Sequence, residues 1–158
     1  MNTTSKEELK MVLEAHKAWL DNPNEPNAKK ADLREANLRK AELSNADLRF
    51  VDLREANLSY ADLRGADLRV ANLREVDLSN ANLRNAELRF AVLRNANLNG
   101  ADLHGADLRN VDLRLADLRG VDLSNAVLHG SDLRNADLSG ANLNGADLRN
   151  AVLRGAIQ

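Results

Sequence analysis

The sequence contains no cysteine, which excludes a disulfide framework and a cysteine-ligated zinc site. Only 3% of its 158 residues are aromatic, and its two prolines, Pro23 and Pro26, lie near the N-terminus. No apolar run approaches the ~20 residues of a transmembrane helix, and the N-terminus lacks the features of a signal peptide. The formal net charge of −2 is too small to indicate a nucleic acid or a membrane as a partner. We therefore expect a cytoplasmic protein.

The chain consists largely of one five-residue unit, A-[D/N]-L-R-x, which occurs 25 times between Ala31 and Gly155. Leu is the centre of every unit, and the residue two before it is Ala in all but five. On a helix these leucines would circle the axis, and on a continuous strand they would alternate between faces. Within one unit, however, A-x-L points Ala and Leu the same way, so the other two residues must turn the chain. The pattern predicts an all-β solenoid with a Leu and Ala interior.

The outward residues indicate four units per coil. At a spacing of 20 residues, two of the four sides carry 12 arginines in the 13 positions that follow Leu. Phe50, Val70 and Phe90 also fall in one column, whereas a 15-residue coil produces no such columns. We predict about six coils over residues 31–158. Core positions include Leu33, Leu38, Leu53, Leu73, Leu93, Leu113, Leu133 and Leu153.

Tandem A-[D/N]-L-x-x units resemble the pentapeptide-repeat family, and the resemblance covers about four-fifths of the chain. It implies a right-handed quadrilateral β-helix and a bacterial source. It also implies one specific function: some members mimic a DNA duplex and occupy the DNA-binding groove of a type II topoisomerase such as gyrase. Because the units vary so little, a consensus-designed sequence is an alternative origin.

Residues 1–30 do not follow the five-residue period and form an N-terminal segment of their own. Ser5 and Glu8 predict a capping box at the start of a helix of about 16 residues, which residues 21–26 end. We interpret the helix as a cap over the first coil, with a docking helix for another protein as the alternative. The C-terminal coil has no such cover, which suggests a homodimer through that end. The apolar face of the helix comprises Leu9, Val12, Leu13, His16, Trp19 and Leu20.

No arrangement of residues indicates catalysis. The three histidines are scattered along the chain: His16 lies on the cap helix, and His104 and His129 follow Leu on different sides of the coil, where a solvated surface position is expected instead of a metal cluster. Asp and Ser are abundant, but a convex rod filled with Leu and Ala offers no pocket in which their pKa values could be shifted. We expect no enzyme activity, no metal, no cofactor and no small-molecule substrate.

The charges of the repeats are balanced. Residues 31–158 contain 19 acidic and 17 basic side chains, and Asp and Arg flank Leu in many units. We expect stacked Asp and Arg columns to pair crosswise between coils. No side has the single-sign field of a DNA mimic, so mimicry stays an alternative function, and nucleic acid is not expected as a direct partner.

One corner departs from this polar surface and is the candidate contact for an unidentified protein. Phe50, Val70 and Phe90 form an apolar column, with Val92 and Leu115 further along the chain. Aromatic residues and arginine are enriched in protein interfaces. The alternative is that the column only shields the backbone from coil to coil. The candidate arginines beside the column are Arg49, Arg69 and Arg89.

Overall fold

The computed structural model describes residues 5–157, which form one helix followed by a stack of repeats. Helix α1 spans Lys6–Asp21, and the predicted capping box is present at its start. The Glu8 amide donates to Ser5 Oγ at 3.1 Å, and the Ser5 amide donates to Glu8 Oε2 at 2.9 Å. Each bond satisfies an amide that the first turn leaves without a partner, which fixes where the helix begins.

The repeats stack through parallel β-bridges instead of long strands. Each unit contributes one bridged residue, the one before Leu, and the bridges run from Asp32↔Asp52 to Asp137↔Ile157. Every bridge joins residues 20 apart, so one layer contains four units, as the column analysis predicts. The Leu33 amide donates to the Asp52 carbonyl at 2.8 Å, and the Asp52 amide donates to the Ala31 carbonyl at 3.3 Å. Successive layers are therefore joined along all four walls.

A tight turn separates each wall from the next. In the first unit the Ala36 amide donates to the Leu33 carbonyl at 3.2 Å, and Glu35 between them has a φ of 56°. Such a turn needs positive φ at its third residue, which Gly and Asn adopt most easily. The fifth position of the unit is accordingly Asn or Gly in 16 of the 25 units.

Among the described residues, the interior of the repeats contains Leu, Ala and a few Val, together with Ser131. Of the eight predicted core leucines, Leu33 and Leu38 are 5% and 3% exposed, and the five from Leu53 to Leu133 are 1% exposed or less. Leu153 is the exception, because it is only half-buried. It lies in the last layer, and no further described layer covers it.

Two other properties concern the described residues as a whole. Within residues 5–157 no helix is long and apolar enough to cross a membrane. The same residues contain no group of three or more His, Cys, Asp or Glu side chains placed to hold a metal ion.

Candidate protein-binding surface

Phe50, Val70 and Phe90 occupy the same corner in three successive layers. Their side chains are 40%, 45% and 52% exposed. Together with Arg49, Arg69 and Arg89 they line a shallow groove of about 250 Å³. We call these six residues the Arg–apolar strip. The structure thus brings together six of the eight residues that the sequence analysis names at or near this contact.

The backbone of the strip is in a conformation that its side chains disfavour. The φ angles of Phe50, Val70 and Phe90 are 62°, 60° and 60°. A left-handed conformation costs an ordinary L-residue roughly 1–2 kcal/mol, and a β-branched residue such as valine is seldom found there. These three residues are both strained and exposed, so neither turn geometry nor burial explains their presence.

Two arginines of the strip are held in place by forked ion pairs. Arg49 contacts Asp47 through Nε and Nη2 at 2.8 and 2.7 Å, and Arg69 contacts Asp67 at 2.8 and 2.6 Å. The Asp47 side chain is stabilised as the anion, because these bonds outweigh burial and lower its pKa. Arg69 also lies 3.3 Å from Glu87 of the next layer. Bidentate pairing of this kind fixes the plane of a guanidinium group.

Arg89 lacks this fork because Glu87, one methylene longer than Asp, precedes its Leu. Its guanidinium carbon lies 5.8 Å from the centroid of the Phe90 ring, within cation–π range. Its Nε is buried and has no hydrogen-bond partner among the described residues. Among the described residues, Arg89 is therefore the arginine of the strip without a carboxylate within 4 Å.

The fork follows a simple sequence rule. Every Arg that follows D-L pairs with the Asp two residues before it, as in Arg114, which contacts Asp112 at 2.7 and 2.6 Å. Pairing between layers also occurs, at longer distances that extend from 3.1 Å for Arg84 to Asp102 to 4.0 Å for Arg34 to Asp52. The predicted crosswise pairing is thus secondary to pairing within the unit. The ten forked arginines are Arg34, Arg49, Arg54, Arg64, Arg69, Arg109, Arg114, Arg119, Arg134 and Arg149.

Helix α1 extends the strip at one end. The Trp19 ring meets Phe50 edge-on, with centroids 6.2 Å apart and an interplanar angle of 78°. Trp19 also stacks on His16 at 5.8 Å. Phe50 is therefore partly covered by the helix, which sequence analysis could not show, and Phe90 is the more exposed of the two.

His16 is completely buried, on the helix face that the sequence analysis assigns to the cap. The Ala31 amide donates to its Nδ1 at 3.1 Å, and its Nε2 lies 2.9 Å from the Arg49 carbonyl oxygen. Because an amide N–H can only donate, Nδ1 accepts, and Nε2 must carry the hydrogen. Burial lowers the pKa of His16, in keeping with a neutral ring. The side chain joins α1 to the first layer.

The rest of the apolar helix face lies toward the repeats. Leu9 is buried, Val12 and Leu13 pack against the core, and Trp19 and Leu20 are half-buried. At the helix start, Lys6 Nζ lies 2.9 Å from Glu42 Oε2.

Two residues placed near the strip by sequence lie elsewhere. Val92 is half-buried in the middle of the adjoining wall, where it bridges Asn72 and Asp112 of the neighbouring layers. Leu115 is 48% exposed and belongs to the column of Glu75, at the far edge of that wall. Neither residue lines the groove.

The other two histidines, His104 and His129, are half-buried on the repeats. His104 Nδ1 lies 2.8 Å from Ser124 Oγ of the next layer. His129 Nδ1 is buried without a hydrogen-bond partner among the described residues.

A family model described as pentapeptide repeats matches eight copies, over residues 31–69, 71–110 and 116–155. The chain is a pentapeptide-repeat protein. No curated protein matches it. Among solved structures, this pentapeptide-repeat protein is 34% identical to HetL from Nostoc sp. strain PCC 7120, a protein involved in heterocyst differentiation regulation. The match covers 79% of this chain and 75% of HetL, with a TM-score of 0.43.

Two further solved structures belong to the comparison. The pentapeptide-repeat protein alr5209 from Nostoc PCC 7120 is 31% identical, over 85% of this chain and 93% of that one, with a TM-score of 0.46. QnrB1, a plasmid-mediated fluoroquinolone resistance protein, is 20% identical, over 73% of this chain and 76% of that one, with a TM-score of 0.40.

Proposed function

We propose that this chain is a right-handed, four-sided rod of about six coils, capped by α1, that serves as a non-enzymatic binding surface for another protein. The Arg–apolar strip is the contact. A rigid rod suits this role because its side chains are already ordered before binding, so less conformational entropy is lost.

The observation that carries the proposal is that three strained and exposed apolar residues, Phe50, Val70 and Phe90, stack at one corner in successive layers. Tyr60 and Leu115 are equally strained and exposed, but each is the only apolar residue of its column. Strained backbone positions persist when something other than stability retains them, and they concentrate at functional sites. Asn or Gly would relieve the strain at each of these positions. Apolar anchors beside ordered arginines match the composition of interface centres.

The proposal is tested by affinity capture with mass spectrometry in a lysate of the source organism. Phe50→Ser combined with Phe90→Ser is expected to lose the proteins that the wild type captures. Tyr60→Ser is the matched control, since Tyr60 is 52% exposed at the same turn position, with a φ of 61°, on another corner. Unchanged capture by the Phe50 and Phe90 variant would show that the strip is not the contact.

The alternative is a DNA mimic that binds a type II topoisomerase such as gyrase. The forked ion pairs count against it, because they neutralise the acidic side chains on which mimicry depends. A supercoiling assay separates the two functions. We expect DNA gyrase to keep its activity and its quinolone sensitivity in the presence of this protein, and inhibition or protection would favour mimicry.

We also propose that two copies of this chain form a homodimer through their last layers. Leu143, Leu148 and Leu153 are only half-buried there, and Ile157 is 57% exposed. Sedimentation velocity should show a dimer for the wild type and a monomer for the Ile157→Asp variant. We propose separately that the protein is located in the cytoplasm of a bacterium. Fractionation of source cells tests the proposed location.

A further inference from the structure

Arg74 and Arg94 stand in the only stretch of their wall where two successive layers lack an acid before Leu. The column of that position contains Asp32, Asp52, Asn72, Val92, Asp112, Asp132 and Val152. The Asp of a unit forks to its own arginine, so units with Asn72 or Val92 cannot form the fork. Below and above them, Arg54 and Arg114 pair with Asp52 and Asp112 at 2.7 and 2.6 Å.

The next layer does not supply the missing carboxylate to Arg74. On this wall, Arg34 and Arg114 reach an Asp of the following layer, at 4.0 and 3.7 Å. For Arg74 the corresponding residue of the following layer is Val92. Among the described residues, neither Arg74 nor Arg94 has a carboxylate within 4 Å, and both side chains are exposed.

A third arginine without a carboxylate lies round the adjacent corner. Arg89 precedes Phe90, and the chain then passes through Val92 to Arg94. An exposed phenyl ring and a half-buried valine, Phe90 and Val92, therefore lie along the chain between Arg89 and Arg94. We call Asn72, Arg74, Arg89, Phe90, Val92 and Arg94 the arginine gap.

We propose that the arginine gap binds a short acidic segment of a partner protein, with one apolar side chain of that segment placed on Phe90 and Val92. This inference rests on the proposed function and specifies the partner's chemistry. Carboxylates of the segment pair with Arg74, Arg89 and Arg94, none of which has a carboxylate within 4 Å among the described residues. Charge-assisted pairing to arginine is strong because the guanidinium group presents two parallel donors to a carboxylate.

The surroundings of the gap favour a short segment over a continuous polyanion. Asp52 and Asp112 border it on the same wall, and their forked arginines are already occupied. A nucleic-acid strand extending along the rod would place phosphates against those carboxylates. An acidic segment of a few residues fits between them, and its apolar side chain accounts for Phe90, which a phosphate backbone would not use.

Substitutions that supply the missing acids test the proposal without removing an arginine. Asn72→Asp with Val92→Asp places aspartates where Asp52 and Asp112 already stand, so that Arg74 and Arg94 become forked within the chain. Asn82→Asp is the control for an added aspartate, because it adds one negative charge beside Arg84 on another wall, where Arg84 already lies 3.1 Å from Asp102. The probe is a fluorescein-labelled peptide of about eight residues, Asp and Glu around a single Phe, a length that spans the corner when extended.

Fluorescence polarisation on the full chain should show that the wild type and the Asn82→Asp variant bind the peptide equally. The double variant should bind at least about tenfold more weakly, because two charge-assisted contacts are lost. Raising the salt from about 50 to about 200 mM should weaken wild-type binding several-fold, as expected for exposed charges. A peptide with Lys in place of the acids should not bind.

Other outcomes would overturn the proposal. One is no binding of the acidic peptide by the wild type, and another is equal binding by the double variant. Stronger binding of a 20-base-pair DNA duplex that the double variant abolishes would assign the gap to nucleic acid. If the double variant still captures the proteins that are lost on Phe50→Ser with Phe90→Ser, the proposed function stands and only the acidic-segment inference fails.

Discussion

The backbone amide of Ala31, the first residue of the repeats, donates a hydrogen bond of 3.1 Å to Nδ1 of His16 on α1. On the other side of the ring, Nε2 lies 2.9 Å from the Arg49 carbonyl oxygen. A protonated imidazole carries hydrogen on both nitrogens and cannot accept from Ala31. The attachment of α1 to the first layer therefore depends on a neutral histidine.

This dependence predicts that acid detaches α1 before the repeats unfold. The pKa of His16 is lowered, chiefly by burial, from its ordinary value of 6.5. The attachment is then fully stable above pH 6.5 and weakens as the pH falls from 6.5 toward the folded-state pKa. Trp19 is the only tryptophan, so a red shift of its emission reports the detachment.

Two variants check the assignment to His16. His16→Gln should remove the pH dependence of the Trp19 emission above pH 5, because an amide does not titrate. This limit lies roughly a unit above the pKa range of Asp and Glu side chains. His129→Gln should leave it unchanged. A wild-type emission spectrum that is constant from neutral pH down to pH 4.5 would contradict the prediction.

The forked aspartates predict a second acid transition at lower pH. Hydrogen bonds from Arg34 and Arg149 lower the pKa values of Asp32 and Asp147 from 3.8 to about 2. Because folding lowers these pKa values, their contribution is present above pH 3.8 and is lost as the pH falls toward 2. The circular dichroism of the repeats should change in this window. Asp32→Asn should be less stable than the wild type at neutral pH, and the difference should vanish near pH 2.

Relief of backbone strain should stabilise the protein at the expense of binding. Val70 has a φ of 60°, whereas Asn110 occupies the same corner two layers away with a φ of 56°. Val70→Asn is expected to raise the free energy of unfolding by roughly 1 kcal/mol, and Asn110→Val to lower it by a similar amount. Thermal melts of the two variants check the prediction. Equal melting temperatures would mean that the turn tolerates valine.

The loss of stability caused by a core substitution should depend on the layer in which the residue lies. Leu93 is 0% exposed and has described layers on both sides, so Leu93→Ala should cost about 2–5 kcal/mol. Leu153 is half-buried in the last layer, so Leu153→Ala should cost clearly less. Urea unfolding measures both values. Equal losses would show that another subunit covers the last layer.

Much of the stacking follows from sequence because the five-residue period leaves the chain little choice. Placing Arg34 below Arg54, and Phe50 below Val70, required only the assumption that columns of like residues share a wall. The bridge Asp32↔Asp52 has that spacing. The capping box of Ser5 and Glu8 could also be predicted from the sequence, because it depends on two residues that are three positions apart.

The contacts between α1 and the repeats were harder to predict from the sequence. The helical spacing of His16 placed it on the apolar face, but a periodic pattern cannot distinguish a solvated imidazole from a buried one with two partners. The edge-on contact of Trp19 with Phe50 depends on how the helix lies across the first layer. The D-L-R spacing was visible, yet the choice of a fork within the unit depends on side-chain geometry at a turn.

Since every described layer is built from 20 residues without insertion, layers are interchangeable in length and register. Removing residues 96–115 would leave the residues on either side in phase and shorten the rod by one step of ~4.8 Å. The number of repeats therefore acts as a molecular ruler, setting the distance from the helix to the far end independently of the surface displayed between them.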